Sequence, residues 1–227
     1  MIYIDTKDIL HAMELSGIAY NNTQPLLQSG SLTIISDAKT DVQCYIRKIE
    51  QCLYITFRGS NSKKDWQTNM MFSKKVIPYG NKSSKIRVHS GFLNAYKSPS
   101  VRNKIQSKLT NDILYVKISG HSQGAALALL CAVDLAYNFP DRDYEVIVFG
   151  CPRVGNEAFK RSFNKRIFKT LRIQNGNDIV TKVPLPIMGY RHVGMRINIG
   201  TPRLLGITSF KDHYPQEYYQ NLLYKLL

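Results

Sequence analysis

Apolar residues recur along the chain at two spacings, one typical of helices and one typical of strands. Ile9, Met13 and Ile18 lie on one side of a helix predicted over Thr6–Tyr20. The residues that follow favour β-structure, and the expected strands are Leu32–Ile35, Val42–Ile49 and Gln51–Phe57. Strands and helices then take turns up to the carboxyl end.

These alternating segments define the expected fold class. The remaining strands are predicted at Ile86–Val88, Ile113–Ile118, Val146–Phe149, Leu171–Ile173 and Arg196–Ile199. The remaining helices are predicted at Phe92–Leu109, Ala125–Phe139, Glu157–Phe163 and Tyr214–Leu226. Alternating strand and helix units predict an α/β fold, in which helices flank a mostly parallel central sheet on both faces. Neither an internal repeat nor a linker interrupts the pattern, so residues 1–227 are expected to form one domain.

Composition and cysteine usage restrict the class of protein further. The 227 residues are 44% hydrophobic and 21% charged, which is typical of one globular core. The longest strongly apolar run, Ala125–Val133, is too short to cross a bilayer, and the amino-terminal residues do not have the pattern of a secretory signal. The four cysteines lack the spacing of a disulfide scaffold or a zinc site and are expected to be buried free thiols. We therefore expect a cytoplasmic or peripheral membrane location, with secretion left open.

The chain carries a large excess of positive charge. Its 31 lysines and arginines against 16 aspartates and glutamates give a formal net charge of +15. Such a charge favours anionic partners, namely nucleic acid, an acidic membrane surface or a negatively charged substrate. No helix-turn-helix, zinc-finger or RNP-like motif occurs in the sequence, so nucleic-acid binding is not expected.

The segment Gly120–Gly124 has the pattern Gly-x-Ser-x-Gly of a nucleophile elbow, with Ser122 at its centre. An elbow is a strained turn between a strand and a helix, and it needs small residues on both sides of the serine. The predicted strand Ile113–Ile118 runs into this segment and the predicted helix Ala125–Phe139 leaves it. Ser122 is therefore predicted to be a nucleophile, and the alternative is a structural Gly/Ser turn.

A serine nucleophile requires a base, and the base requires an orienting carboxylate. Asp178 follows the strand Leu171–Ile173 through a turn-rich loop, which makes it the predicted acid; its alternative role is that of an Asx-turn residue. Only two histidines lie beyond Asp178. His213 follows the last predicted strand and is favoured as the base, whereas His192 precedes that strand and is expected to be a loop or core residue.

With these residues placed, the chain resembles the class 3 (fungal-type triacylglycerol) lipase family over about residues 56–218. Gln123 stands where the family often has Leu, and Asn175 and Ile179 stand where it often has His and Pro. The stretches that carry the resemblance are Phe57–Ser60, Trp66, Val88–Phe92, Gly120–Ala126, Phe149–Asn156, Gly176–Asp178 and Asp212–His213.

The resemblance implies an α/β-hydrolase fold with a short lid helix, and cleavage of lipid esters by a Ser122-Asp178-His213 triad through an acyl-enzyme. It also implies that the backbone N–H groups of Ser60 and Gln123 form the oxyanion hole, where fixed donors stabilise the developing negative charge. The alternative role of Ser60 is that of a turn residue. Neither a metal nor a cofactor is expected.

The resemblance places the lid at Ser62–Phe72. Its apolar residues are followed and preceded by lysines, a combination typical of a segment that enters a lipid interface. An acidic membrane or a lipid-droplet surface is thus a possible partner, besides the lipid ester itself. The alternative is a basic loop whose apolar residues pack on the core. The apolar residues in question are Trp66, Met70, Met71 and Phe72.

Two other activities would use the same catalytic residues. One is that of a phospholipase A1, slightly favoured by the positive charge, and the other is that of an esterase of soluble esters, such as a feruloyl-type enzyme. A non-enzymatic basic protein that binds nucleic acid is a more distant alternative.

Overall fold

A computed structural model describes residues 4–21, 31–60, 74–76, 83–201 and 207–226 of the chain. The described residues form nine strands, most of them near the predicted positions. Their bounds are β1 Ser31–Asp37, β2 Val42–Ile49, β3 Cys52–Phe57, β4 Lys74–Val76, β5 Arg87–His89, β6 Tyr115–His121, β7 Asp143–Phe149, β8 Thr170–Asn175 and β9 Met195–Ile199.

Seven of these strands form one sheet in the order β1-β2-β3-β6-β7-β8-β9. The first three strands pair antiparallel, and every later pairing, from β3 and β6 to β8 and β9, is parallel. The short strands β4 and β5 pair antiparallel in a separate ribbon. Because parallel strands end at the same edge of a sheet, the loops that follow β6, β7 and β8 meet there. The predicted mostly parallel sheet is confirmed.

In the described residues, six α-helices cover the two faces of this sheet. Successive strand residues point to opposite faces, so β7 sends Val146 and Val148 into one core and Ile147 and Phe149 into the other. The second core is closed by the first and last helices, and the larger first core is closed by the middle ones. The helices are α1 Thr6–Ile18, α2 Ser90–Lys97, α3 Pro99–Gln106, α4 Gln123–Asn138, α5 Glu157–Arg166 and α6 Pro215–Leu226.

One predicted helix is wrong in its extent. The segment expected as a single helix over Phe92–Leu109 forms two helices, α2 and α3, separated at Ser98. Ser98 has φ −49° and ψ 129°, the extended conformation to which the proline ring at position 99 restricts the preceding residue. Pro99 then occupies the first turn of α3, where a missing backbone N–H has no cost.

Strand β4 and the cysteines are two smaller features that bear on the predictions from sequence. Strand β4 was not predicted, since its three residues are too few to show an alternating pattern. All four cysteines are free as expected; Cys44, Cys131 and Cys151 are buried, whereas Cys52 is partly exposed, contrary to the expectation. None of the described helices has both the length and the apolar character needed to cross a membrane.

Candidate active site

Ser122 occupies a sharp turn between β6 and α4. Strand β6 ends at His121 and helix α4 begins at Gln123, so one residue connects them. Ser122 has φ 59° and ψ −124°, and its backbone N–H donates to the carbonyl of Phe149 at 3.0 Å. A positive φ at a residue with a side chain is strained and persists only where the surrounding structure enforces it. The Gly-x-Ser-x-Gly pattern therefore forms the turn that was predicted for it.

The two glycines of this turn are required by close backbone contacts. A Cβ atom at Gly120 would lie 2.6 Å from the carbonyl carbon and oxygen of Gly124. A Cβ atom at Gly124 would lie 2.3 Å from the carbonyl oxygen of Phe57 in β3. Both distances are far below van der Waals contact with atoms that cannot move aside, so neither position tolerates a side chain. The glycines let α4 start directly against the ends of β3 and β6.

His213 connects Ser122 to Asp178 through two hydrogen bonds. Its Nε2 lies 2.8 Å from Ser122 Oγ, and its Nδ1 lies 2.8 Å from Asp178 Oδ2. The side chain of Asp178 is fully buried, whereas 15% of the His213 side chain is exposed. This geometry corresponds to a nucleophile within reach of a base, with the base oriented by a carboxylate. The structure thus brings together the three residues that the sequence singled out, although they are far apart along the chain.

The buried carboxylate of Asp178 receives two further hydrogen bonds. The backbone N–H of Val180 donates to its Oδ1 at 2.8 Å, and the hydroxyl of Tyr218 in α6 donates to its Oδ2 at 2.6 Å. Burial and the negative charge of Asp178 raise the pKa of Tyr218 well above its usual value, so the hydroxyl keeps its proton. Sequence reasoning missed Tyr218, because a tyrosine in an amphipathic helix has no pattern that marks it as a carboxylate partner.

The backbone of the His213 loop is held by a neighbouring histidine. His121 Nε2 donates to the carbonyl oxygen of His213 at 2.8 Å, and His121 Nδ1 accepts from the hydroxyl of Tyr20 at 2.7 Å. Burial and the proximity of His213 lower the pKa of His121 well below its usual value, so this ring is neutral. A neutral ring with one donor and one acceptor satisfies both contacts at once.

Asp212 fixes the same loop from its other side. Its carboxylate accepts hydrogen bonds from the backbone N–H of Asn177 at 2.9 Å and from the hydroxyl of Ser209 at 2.9 Å. Its carbonyl oxygen accepts from the side-chain amide of Asn175 at 2.9 Å. The loop after β8, which carries the predicted acid, and the loop before α6, which carries the predicted base, are therefore tied together by hydrogen bonds.

The two predicted oxyanion-hole residues lie beside each other. Ser60 follows the end of β3, Gln123 is the first residue of α4, and the Ser60 hydroxyl donates to the Gln123 side-chain oxygen. The first N–H groups of a helix have no acceptor within the helix, so the N–H of Gln123 suits an anionic ligand. Ser60 and Ser122 both line the same pocket.

This pocket has a volume of about 680 Å³ and opens over Ser122. It lies between the carboxyl-terminal half of α1 and the residues around the start of α6. None of the described residues that line it is a lysine or an arginine, and Glu14 is the one carboxylate among them. Its apolar and aromatic lining consists of Met13, Ile18, Tyr20, Val180, Phe210, Tyr214, Pro215 and Tyr219.

The residues that the sequence set aside lie elsewhere. His192 Nε2 donates to the carbonyl oxygen of Thr181 at 2.9 Å, and burial lowers its pKa to about 3. The predicted lid residues Trp66, Met70, Met71 and Phe72 lie outside the described residues. Within the described part of the chain, no three His, Cys, Asp or Glu side chains are grouped as metal ligands.

Known proteins of one family are similar to this chain in sequence. The model of the family described as lipase (class 3) matches residues 54–188. The chain is 35% identical over 147 residues to the chloroplastic phospholipase A1 DAD1 of Arabidopsis thaliana, covering 57% of this chain and 33% of that protein. It is 32% identical over 157 residues to a lipase of Rhizomucor miehei, covering 64% of this chain and 41% of that protein. The chain thus spans less than half the length of these curated relatives.

A solved structure extends the similarity over nearly the whole fold. The crystal structure of a lipase from Rhizopus microsporus var. chinensis superposes with a TM-score of 0.77 at 25% sequence identity. The match covers 94% of this chain and 88% of that one. The residues matched by the family model include most of β3, the elbow at Ser122 and the loop that carries Asp178. The chain therefore belongs to the class 3 lipase family.

Proposed function

We propose that this chain is a serine hydrolase that cleaves carboxylic esters of lipids. The observation that carries the proposal is the continuous set of hydrogen bonds from Ser122 through His213 to Asp178, at the base of a pocket with an apolar lining. Family membership and the similarity to lipases and phospholipases A1 support the same reaction class.

The distances support a two-step acyl transfer. In the first step His213 Nε2 takes the proton of Ser122 while Oγ attacks the ester carbonyl, and Asp178 stabilises the imidazolium that forms. The imidazolium then gives its proton to the departing alcohol, which leaves an acyl group on Ser122. Water, deprotonated by the same imidazole, hydrolyses this acyl-enzyme in the second step and restores the free serine.

We assign the stabilisation of the oxyanion to the backbone N–H groups of Ser60 and Gln123. Each donor in a dry, preorganised site contributes about 3–4 kcal/mol to the transition state. The hydrogen bond between the Ser60 hydroxyl and the Gln123 side chain supports this assignment, because it fixes the two segments relative to each other.

The pocket supports a substrate with a long apolar part. Its volume of about 680 Å³ suits a single acyl chain with its ester head, and its aliphatic and aromatic lining would bury that chain away from water. The segment with Trp66, Met70, Met71 and Phe72 follows Ser60 directly in sequence. We propose that it acts as a lid at a lipid surface, where the +15 charge of the chain would favour an acidic membrane.

Replacement of Ser122 by alanine tests the proposed activity. Ser122→Ala should remove hydrolysis of p-nitrophenyl butyrate while changing the melting temperature by less than about 2 °C, since one small hydroxyl is lost. A matched control is Ser107→Ala, which removes an exposed hydroxyl at the end of α3. Wild-type turnover in the Ser122→Ala variant would overturn the proposal.

A second candidate, phospholipase A1 activity, is favoured by the relatives that bear this name and by the positive charge of the chain. Dispersed trioleoylglycerol and phosphatidylglycerol vesicles, offered at equal ester concentration, separate the two candidates. The lack of cationic residues among the described pocket lining favours a neutral ester near Ser122. Preferential release of fatty acid from phosphatidylglycerol would instead assign the phospholipase activity.

A further inference from the structure

Arg172, in the middle of β8, is a buried cation without a partner. Only 5% of its surface is exposed, and its Nε and Nη1 atoms are enclosed without any hydrogen-bond partner. Burial of a guanidinium group is unfavourable unless an anion or several acceptors compensate for the lost water. The burial of these two donor atoms of Arg172 is therefore left without compensation by any hydrogen bond.

A second arginine lies directly beside it. Arg172 in β8 and Arg196 in β9 are register partners in the parallel pairing, so their Cα atoms are about 5 Å apart. Leu171 and Ile173 point into the core closed by α1 and α6, so Arg172 and Arg196 both point away from that core. Arg196 is exposed and lies on the last strand of the sheet, so solvent reaches this edge at Arg196, while Arg172 lies buried beside it.

Other cationic groups surround the pair. Arg153, in the loop after β7, donates from Nη1 to the carbonyl oxygen of Pro184 at 2.9 Å. Besides burial, the charges of Arg196 and Arg153 lower the pKa of Arg172. The same three arginines, after burial, lower the pKa of His192. The charges of the three arginines therefore act on one another and on the neutral ring of His192.

No counter-charge is built into this cluster. Within the described part of the chain, no ion pair joins Arg153, Arg172 or Arg196 to a carboxylate. The neighbouring thiol of Cys151 stays protonated, because burial raises its pKa to about 12. Tyr218 also keeps its proton, as described above, and its hydroxyl donates to Asp178.

We propose that Arg172 and Arg196, bordered by Arg153, form a binding site for a phosphate group. A guanidinium presents planar N–H donors that match the oxygen atoms of phosphate, and two adjacent guanidinium groups hold one phosphate by several charge-assisted hydrogen bonds. Three formal positive charges favour a dianion over a monovalent ion such as chloride. The site lies on β8 and β9 and does not include Ser122 or His213, so it is separate from the proposed catalytic residues.

Charge reversal at Arg196 provides the test. In Arg196→Glu the new carboxylate lies beside Arg172 and replaces the phosphate as its partner. The matched control is Arg161→Glu, the same charge change at an exposed position of α5. Thermal melts of wild type and both variants are recorded in sodium phosphate and in sodium chloride at equal ionic strength and pH.

The expected result has two parts. Phosphate at about ten times its dissociation constant should raise the melting temperature of wild type and of Arg161→Glu by about 3–6 °C, and that of Arg196→Glu by less than about 1 °C. Without phosphate, Arg196→Glu should melt about 2–4 °C above wild type, since its internal pair satisfies Arg172. Absence of a phosphate effect in wild type, or an equal effect in Arg196→Glu, would overturn the proposal.

A second experiment, binding to lipid vesicles, identifies the source of the phosphate group. Binding to phosphatidylcholine vesicles with and without phosphatidic acid is measured by co-sedimentation for the same three proteins. A larger loss of binding to the phosphatidic acid vesicles in Arg196→Glu than in Arg161→Glu assigns a lipid headgroup as the ligand. Equal losses in both variants, together with the phosphate-dependent melt, assign a free phosphate or a soluble phosphate ester.

Discussion

Replacement of Asp178 by asparagine changes one oxygen into an NH₂ group and should inactivate the enzyme by reversing a hydrogen bond. Three donors converge on the carboxylate of Asp178, namely the N–H of Val180, Nδ1–H of His213 and the hydroxyl of Tyr218. The asparagine oxygen can keep the bond to Val180, so its NH₂ group would then face His213. His213 would have to accept at Nδ1, which moves its proton to Nε2.

The proton on Nε2 would point at Ser122 Oγ, 2.8 Å away, and the imidazole could no longer act as its base. Loss of the correct tautomer lowers kcat by about 10⁴-fold in serine hydrolases with this arrangement. That factor corresponds to about 5.5 kcal/mol of transition-state stabilisation. Because Tyr218 can rotate its hydroxyl to accept from the new NH₂ group, the fold should lose far less, about 1–2 kcal/mol.

The assay is hydrolysis of p-nitrophenyl butyrate, with kcat and KM determined separately for wild type and Asp178→Asn. We expect a fall of about 10⁴-fold in kcat, a KM within about threefold of wild type, and a melting temperature within several degrees. Asp141→Asn, which changes an exposed carboxylate beyond the end of α4, is the matched control. A kcat within tenfold of wild type in a folded Asp178→Asn protein would refute the tautomer argument.

Three further predictions follow from the same contacts. Gly124→Ala should destabilise the fold by about 3 kcal/mol and abolish activity, because its Cβ would overlap the carbonyl oxygen of Phe57. Chemical denaturation curves measure this loss, and an unchanged midpoint would contradict it. Tyr218→Phe should lower kcat/KM about tenfold and lower the free energy of unfolding by about 1.5–3 kcal/mol, because Asp178 loses a hydrogen-bond donor. A variant with the wild-type kcat/KM and stability would show that the hydrogen bond from Tyr218 to Asp178 is unimportant. The pKa of His192 is depressed to about 3, so its neutral form stabilises the fold above about pH 6.5, and this contribution falls as the pH drops toward 3. The stability advantage of wild type over His192→Gln should therefore shrink between pH 7 and pH 5 in denaturant titrations, whereas a constant difference would contradict the depressed pKa.

Much of the fold could be predicted because each element buries one patterned face. The alternating residues of β7 send Val148 to one core and Ile147 to the other, and such a pattern is visible in the sequence. The break at Ser98 was not predicted, because the apolar spacing continues across it and the proline at position 99 is compatible with either a kink or a new helix. Strand β4 owes its existence to pairing with β5, a non-local contact that has no local pattern.

The positions of the predicted triad follow from a topological rule, whereas its supporting contacts do not. Parallel strands deliver their following loops to one edge, so residues placed after strands, such as Ser122 and Asp178, were expected to meet. Two of the supporting hydroxyl groups, those of Tyr20 just after α1 and of Tyr218 in α6, reach the site because those helices pack against each other. The partnerless state of Arg172 was equally hidden, because it depends on register between β8 and β9.

The central claim is that Ser122 is an activated nucleophile, and covalent labelling tests it most directly. The protein is incubated with a fluorophosphonate probe, and its adducts are counted by intact mass spectrometry and located by peptide mapping. The account predicts one adduct per chain, on Ser122, with no adduct in Ser122→Ala and labelling slowed by several orders of magnitude in His213→Ala. An unlabelled wild-type protein, or a His213→Ala variant labelled at the wild-type rate, would contradict it.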